Sequence, residues 1–204
     1  GDLDRNRVAG AKQGTSSRNH GQQQHLSNLT RAAPERARYC EIGFNGGHSA
    51  AAMLLANPGL LVHSFDLMAW RYSNRSLELL TTMFGPRLTM HPGDSTRTVP
   101  EWTHQNPHKC DVLFVDGDHT QSGARKDMLN MVAAAAPGAL AVADDINSAP
   151  GKALHALAEQ GKLHVAESYG PFEAPSPHNP CMRTAKRGHY CVAWGFAVYV
   201  YPHS

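Results

Sequence analysis

Four cysteines in 204 residues are too few to staple a small secreted scaffold. None sits in a CxxC pair or at a Cys/His spacing, so no zinc site is expected. No apolar run approaches the ~18 residues that a membrane-spanning helix needs, which removes a membrane partner. Lys and Arg number 19 against 17 Asp and Glu, a formal charge of +2. A balance that close to neutral removes the electrostatic case for a nucleic-acid partner. The 18 glycines and 13 prolines follow no period, which excludes collagen-like and low-complexity chains. There is no internal repeat. The chain opens on Gly1 rather than Met, so a targeting segment is not readable and no compartment is assigned.

What is present is an alternation of short apolar runs and helical patterns. Residues 1–20 are polar, without apolar periodicity, and are expected to form a poorly ordered arm, with one domain over 21–204. A helix is expected over 21–36. Strands are expected over 37–42, 60–66, 87–91, 111–116, 139–144, 163–168 and 191–201. Further helices are expected over 49–56, 76–84, 121–136 and 149–160. Repeated strand-helix units need crossovers, so the sheet should be mostly parallel, with helices on both faces. The segment 169–189 carries four prolines and two glycines without a period, and a loop that long is usually functional. No helix separates the last two strands, which are expected to pair antiparallel.

The segment YCEIGFNGGHS over 39–49 carries the first chemical signal. A strand runs into Gly43, Gly46 and Gly47, and a helix follows. Glycine permits close backbone approach, and a helix N-terminus presents free N–H groups. Open α/β sheets bind ligands at the carboxyl ends of their strands, beside the first strand. Asp66 ends the second strand, where a carboxylate suits a ribose diol. Glu41 stands two residues before Gly43. A carboxylate there repels a pyrophosphate but accepts hydrogen bonds from hydroxyl or ammonium groups. This argues against a nicotinamide oxidoreductase, as do the acids crowded at strands four and five.

Glu41-x-Gly43-x-x-Gly46-Gly47, Asp66, and Gly93-Asp94-Ser95 after strand three resemble the class I S-adenosylmethionine (SAM)-dependent methyltransferases. Closest in pattern are small O-methyltransferases with GxNGGHS and VDGDH motifs, over about residues 21–168. The resemblance implies a Rossmann-like, doubly wound, seven-stranded and mostly parallel α/β sheet with an antiparallel last strand, in three layers. It implies that Glu41, Gly43, Asn45, Gly46 and Gly47 pack on the amino-acid part of the cofactor. Asp66 would bind the ribose, and Asp94, with Ser95 beside it, the adenine edge. Residues 68–72 (MAWRY) would offer an apolar wall, and 22–24 with 169–189 a rim and lid.

Asp116 and Asp118 lie in VDGDH at the end of strand four, and Asp144 and Asp145 end strand five. Carboxylates packed together repel unless protonated or paired with a cation, and oxygen ligands suit Mg²⁺ or a similar divalent ion. The resembling family has metal-dependent members, whose ligands fall here on Asp116, Asp144 and Asp145, with Asp116 also beside the cofactor. Three residues after the strand-four acid those relatives carry a catalytic Lys; this chain has His119. A histidine titrates near neutrality and can take a hydroxyl proton. The expected reaction is metal-assisted O-methylation of a small-molecule hydroxyl, with Asp116 and His119 as catalytic groups. A homodimer stays open.

Two other readings compete. A catalytically silent SAM-binding module would keep the same cofactor motifs. VLFVDGDHT also matches the DxDxT motif of haloacid-dehalogenase-type phosphatases, but residues 117–143 leave no room for that family's intervening Ser/Thr and Lys motifs. Cys40 and Cys110 are read as small apolar core residues, while a Cys181–Cys191 disulfide is conceivable.

Overall fold

The computed structural model describes residues 20–172, 182–184, 188–190 and 194–202. The arm expected over 1–20, all but its last residue, lies outside these, as do Cys181 and Cys191. The elements are α1 (His20–Ala32), β1 (Arg38–Ile42), α2 (His48–Ala56), β2 (Leu61–Asp66), α3 (Arg71–Phe84), β3 (Leu88–Pro92), α4 (Ser95–Gln105), β4 (Cys110–Val115), α5 (Gln121–Ala134), β5 (Ala135–Ala143), α6 (Ala149–Glu159), β6 (His164–Phe172), β7 (Met182–Thr184), β8 (Gly188–Tyr190) and β9 (Trp194–Val200).

Seven strands form one sheet in the order β3-β2-β1-β4-β5-β9-β6. β3 to β5 run parallel, and β9 inserts antiparallel to both β5 and β6. The order reverses between β1 and β4, so the crevice at the ends of these strands is where this architecture receives ligands. Both faces are covered, as the apolar strands require. Cys40, Ile42, Phe65 and Leu113 pack under Val99 and Trp102 of α4, Met128 and Met131 of α5, and Leu154 and Leu157 of α6. Tyr39, Val62, Phe114 and Phe196 pack under Leu26 of α1, Met53 and Leu54 of α2, and Leu80 of α3. No helix among the described residues is long and apolar enough to cross a membrane.

Four features depart from the sequence reading. Helix α4 was not expected, because Pro100 sits inside it and only Val99 and Trp102 mark a buried face. It forms because Asp94 caps it, accepting from the Thr96 N–H at 2.8 Å. Strand β5 starts before Pro137-Gly138 rather than after. The proline is tolerated because the register with β4 shifts there and no ladder hydrogen bond is needed. Part of the expected loop over 169–189 is strand: β6 runs on to Phe172, and β7 pairs antiparallel with β8. Finally, Cys40 and Cys110 are not free apolar residues. They are bonded to each other, with Cα atoms 5.9 Å apart, and both are fully buried.

Candidate active site

The loop after β1 is shaped by what cannot fit in it. A Cβ on Gly43, which holds φ 102°, would stand 2.0 Å from the carbonyl oxygen of Asp116. The ends of β1 and β4 are therefore pressed together, and only glycine allows it. Gly47, at φ 72°, caps the N-terminus of α2, and a Cβ there would meet Leu80 and Phe44 at 2.7 Å. Gly46 keeps no left-handed φ; Asn45 takes that conformation instead, at φ 49°.

Asp66 explains how a non-glycine residue is held there. Its Oδ2 accepts the Asn45 N–H at 2.9 Å, and its Oδ1 accepts the N–H of Met68 at 2.6 Å. Met68 is also left-handed, at φ 53°. One carboxylate thus pins two strained turns and still carries lone pairs for a ligand. The Tyr72 hydroxyl donates to Asn45 Oδ1 at 2.5 Å, a clamp on the glycine loop that the sequence reading missed. Glu41 is placed differently from expectation. It is fully buried and absent from the cavity wall. Ser64 donates to its Oε1 at 2.7 Å, while Ser49 (2.6 Å) and Tyr39 (3.1 Å) donate to its Oε2. Burial pushes its carboxyl up to about 7, against the pull of these three hydroxyls. Glu41 supports the loop from below.

Beyond β3, the Asp94 carboxylate is turned onto its own helix, where it accepts from the N–H and hydroxyl of Thr96 at 2.8 and 2.7 Å. These bonds hold it below the usual carboxylate range. Ser95 instead points its hydroxyl at Asp127 Oδ1, at 2.6 Å. Asp127 was also missed. Its signal was a lone acid on the apolar face of α5, among Gly123, Ala124, Met128 and Met131.

At the ends of β4 and β5, His119 stands between two acids. Its Nδ1 lies 2.7 Å from Asp145 Oδ2, and its Nε2 lies 3.8 Å from Asp116 Oδ1. The hydrogen bond to Asp145 raises the imidazole pKa despite partial burial. Asp116 is pushed well up by burial and then by Asp144, Asp145 and Glu41. Asp144 is pushed up to about 6 by burial and by Asp145. Asp144 also accepts the Asp145 N–H at 2.7 Å, and the Gln22 side chain of α1 works against its upward shift.

The expected metal ligands Asp116, Asp144 and Asp145 do not come together as a ligand set. Asp145 is committed to His119, and Asp144 Oδ1 to the Asp145 backbone. Among the described residues no three His, Cys, Asp or Glu side chains gather to hold an ion. The residues present do not fit a divalent cation; the imidazole ring takes the place between Asp116 and Asp145.

A cavity of about 370 Å³ joins the glycine loop, Asp66, Ser95 and His119. Its wall includes Gly43, Asn45, Asp66, Ser95, Asp116 and His119, so most of the expected residues do share one hollow. Asp94 and Trp70 also line it, but Glu41, Gly46, Gly47, Asp144 and Asp145 do not.

The family described as a methyltransferase domain matches residues 40–146, more than half of the chain. No curated protein matches the sequence. Among solved structures, the chain is similar to the O-methyltransferase TomG from Streptomyces achromogenes, involved in tomaymycin synthesis, in complex with SAM. The identity is 17% over 90% of this chain and 80% of that one, with a TM-score of 0.63. It is similar to an O-methyltransferase from Bacillus cereus in complex with SAH, at 14% identity, 98% and 88% coverage and a TM-score of 0.64. It is also similar to a putative O-methyltransferase from Klebsiella pneumoniae, at 17% identity, 100% and 91% coverage and a TM-score of 0.64. At these identities the likeness is one of fold.

Proposed function

Because the chain belongs to the methyltransferase domain family and has the class I fold, we propose that it transfers a methyl group from SAM to a hydroxyl oxygen of a small molecule. The observation that carries this reading is the shared cavity, in which Asp66 and His119 line one wall system. The glycine loop and Asp66 suit a ribose-bearing ligand: a close backbone approach at Gly43 and acceptor lone pairs on Asp66. When bound, SAM supplies a sulfonium methyl that is already electrophilic, so the protein's work is position and proton removal.

His119 is the base. Asp145 holds the Nδ1 hydrogen and leaves Nε2 with its lone pair, directed toward Asp116. The acceptor hydroxyl gives its proton to Nε2 as its oxygen forms the C–O bond and the C–S bond breaks, the sulfur keeping the electron pair. Asp145, hydrogen-bonded to the ring at Nδ1, stabilises the imidazolium that results.

Calorimetry with SAM and with S-adenosylhomocysteine, followed by a methyl-transfer screen on phenols, catechols, sugars and alcohols, tests the proposal. Micromolar cofactor binding and turnover on at least one hydroxylated class are expected. Binding without turnover on any acceptor would make the chain a silent module, and no binding would remove the proposal. Excess chelator should leave the rate unchanged. A loss of ten-fold or more that magnesium restores would return the ion to the mechanism.

A further inference from the structure

Asp127 is a buried acid that the proposed chemistry does not use. It is 3% exposed and sits on the apolar face of α5. Both its oxygens are occupied, by donors from the first turn of α4 and from the loop after β4. Oδ1 accepts the Ser95 hydroxyl at 2.6 Å, and Oδ2 accepts the Asp118 N–H at 3.1 Å. Gly117 leaves room for it, since a Cβ there would stand 2.5 Å from Oδ2. Bonds to two elements fix the carboxylate in rotation, so the direction of the Ser95 bond is fixed as well.

That direction has a chemical result. A hydroxyl owns one hydrogen. With that hydrogen given to Asp127, Ser95 Oγ presents only lone pairs to the cavity, which it lines together with Gly93 and Asp127. A ligand group opposite it must be a donor. Asp94 does not fill this role with Oδ1, which is spent on Thr96.

We propose that Asp127 is a positioning residue that makes Ser95 an obligate hydrogen-bond acceptor, and so selects a 6-aminopurine over a 6-oxopurine at this end of the cofactor cavity. This rests on the cofactor reading given above. An amino group donates to Ser95 Oγ, whereas a 6-oxo group sets lone pairs against lone pairs. An asparagine at 127 reverses the hydrogen-bond polarity. Its oxygen takes the Asp118 N–H, its NH₂ faces Ser95, and the serine hydrogen turns toward the ligand.

The test is calorimetric binding of S-adenosylhomocysteine and of its 6-oxo counterpart, S-inosylhomocysteine. The unmodified protein should prefer the amino form by about 30-fold, the scale of one buried hydrogen bond made or opposed. Asp127→Asn should cut the preference to below about 5-fold. Ser95→Ala, which leaves Asp127 in place, should do the same, and Ser95→Thr, which keeps the hydroxyl, should restore it. Should Asp127→Asn fail to fold, the two serine variants decide. Equal binding of both nucleosides to the unmodified protein overturns the proposal and leaves the cofactor reading standing. So does a preference that survives in both Asp127→Asn and Ser95→Ala. Binding of neither nucleoside sinks the cofactor reading together with this one.

Discussion

His119 stands with Nδ1 on Asp145 and Nε2 toward Asp116, inside the cavity wall that also holds Asp66. His119→Ala should lower kcat by about 10² or more, the usual share of a general base, while the SAM Kd stays within two-fold. An equal fall in cofactor affinity would make it a binding residue instead. Because Asp145 raises the imidazole pKa above its ordinary 6.5, the base is protonated at low pH and free at high pH. The rate should therefore rise with pH through a pKa above 6.5, and Asp145→Asn should move that rise to lower pH. Asp66 has a different signature. Asp66→Ala removes the acceptor of the Asn45 and Met68 N–H bonds and releases both left-handed turns. Calorimetry should show cofactor affinity down by about ten-fold or more, because the half-buried Asn45 and Met68 N–H groups lose their acceptor and the loop loses its shape.

At the scale of elements, β1 and β4 are the pair on which the site is built. Their ends touch at Gly43 and Asp116, and Cys40–Cys110 ties the strands behind it. The bond closes a sequence separation of 70 residues. Crosslinks of that span typically add about 2–4 kcal/mol, largely by restricting the unfolded chain. Cys110→Ala should lower stability by that order in a denaturant titration. Peptide mapping without reduction should recover the 40–110 crosslink; two free thiols there would contradict it. Helix α4 shows why element reading has limits. Its sequence pattern is weak, yet Asp94 capping and the burial of Val99 and Trp102 against the sheet are enough to form it. Such tertiary burial is invisible to a local pattern.

For the whole molecule, the buried Glu41 should leave a mark on stability. Its carboxyl is held near 7, against 4.5 for an ordinary glutamate, by burial. Between those values the unfolded chain loses the proton and the folded chain keeps it, so stability falls as pH rises from 4.5 to 7 and is level above. The loss is roughly 3 kcal/mol at 1.36 kcal/mol per pKa unit. Glu41→Gln cannot ionise, so its stability relative to the unmodified protein should improve across that window; parallel curves would refute the assignment. The strand-helix alternation of a mostly parallel sheet, the crevice beside β1 and the cavity-lining Gly43, Asp66, Asp116 and His119 were legible in the sequence, because apolar periodicity and strand-end glycines and acids are local patterns. The directions of side chains were not. Whether Glu41 faces the cavity or the core, whether Asp145 meets an ion or an imidazole, and whether Cys40 finds Cys110 depend on contacts between residues far apart in the chain. So does the pairing of Ser95 with Asp127. Order along the chain sets which strand ends bear carboxylates, but only packing in three dimensions assigns each of them its donor.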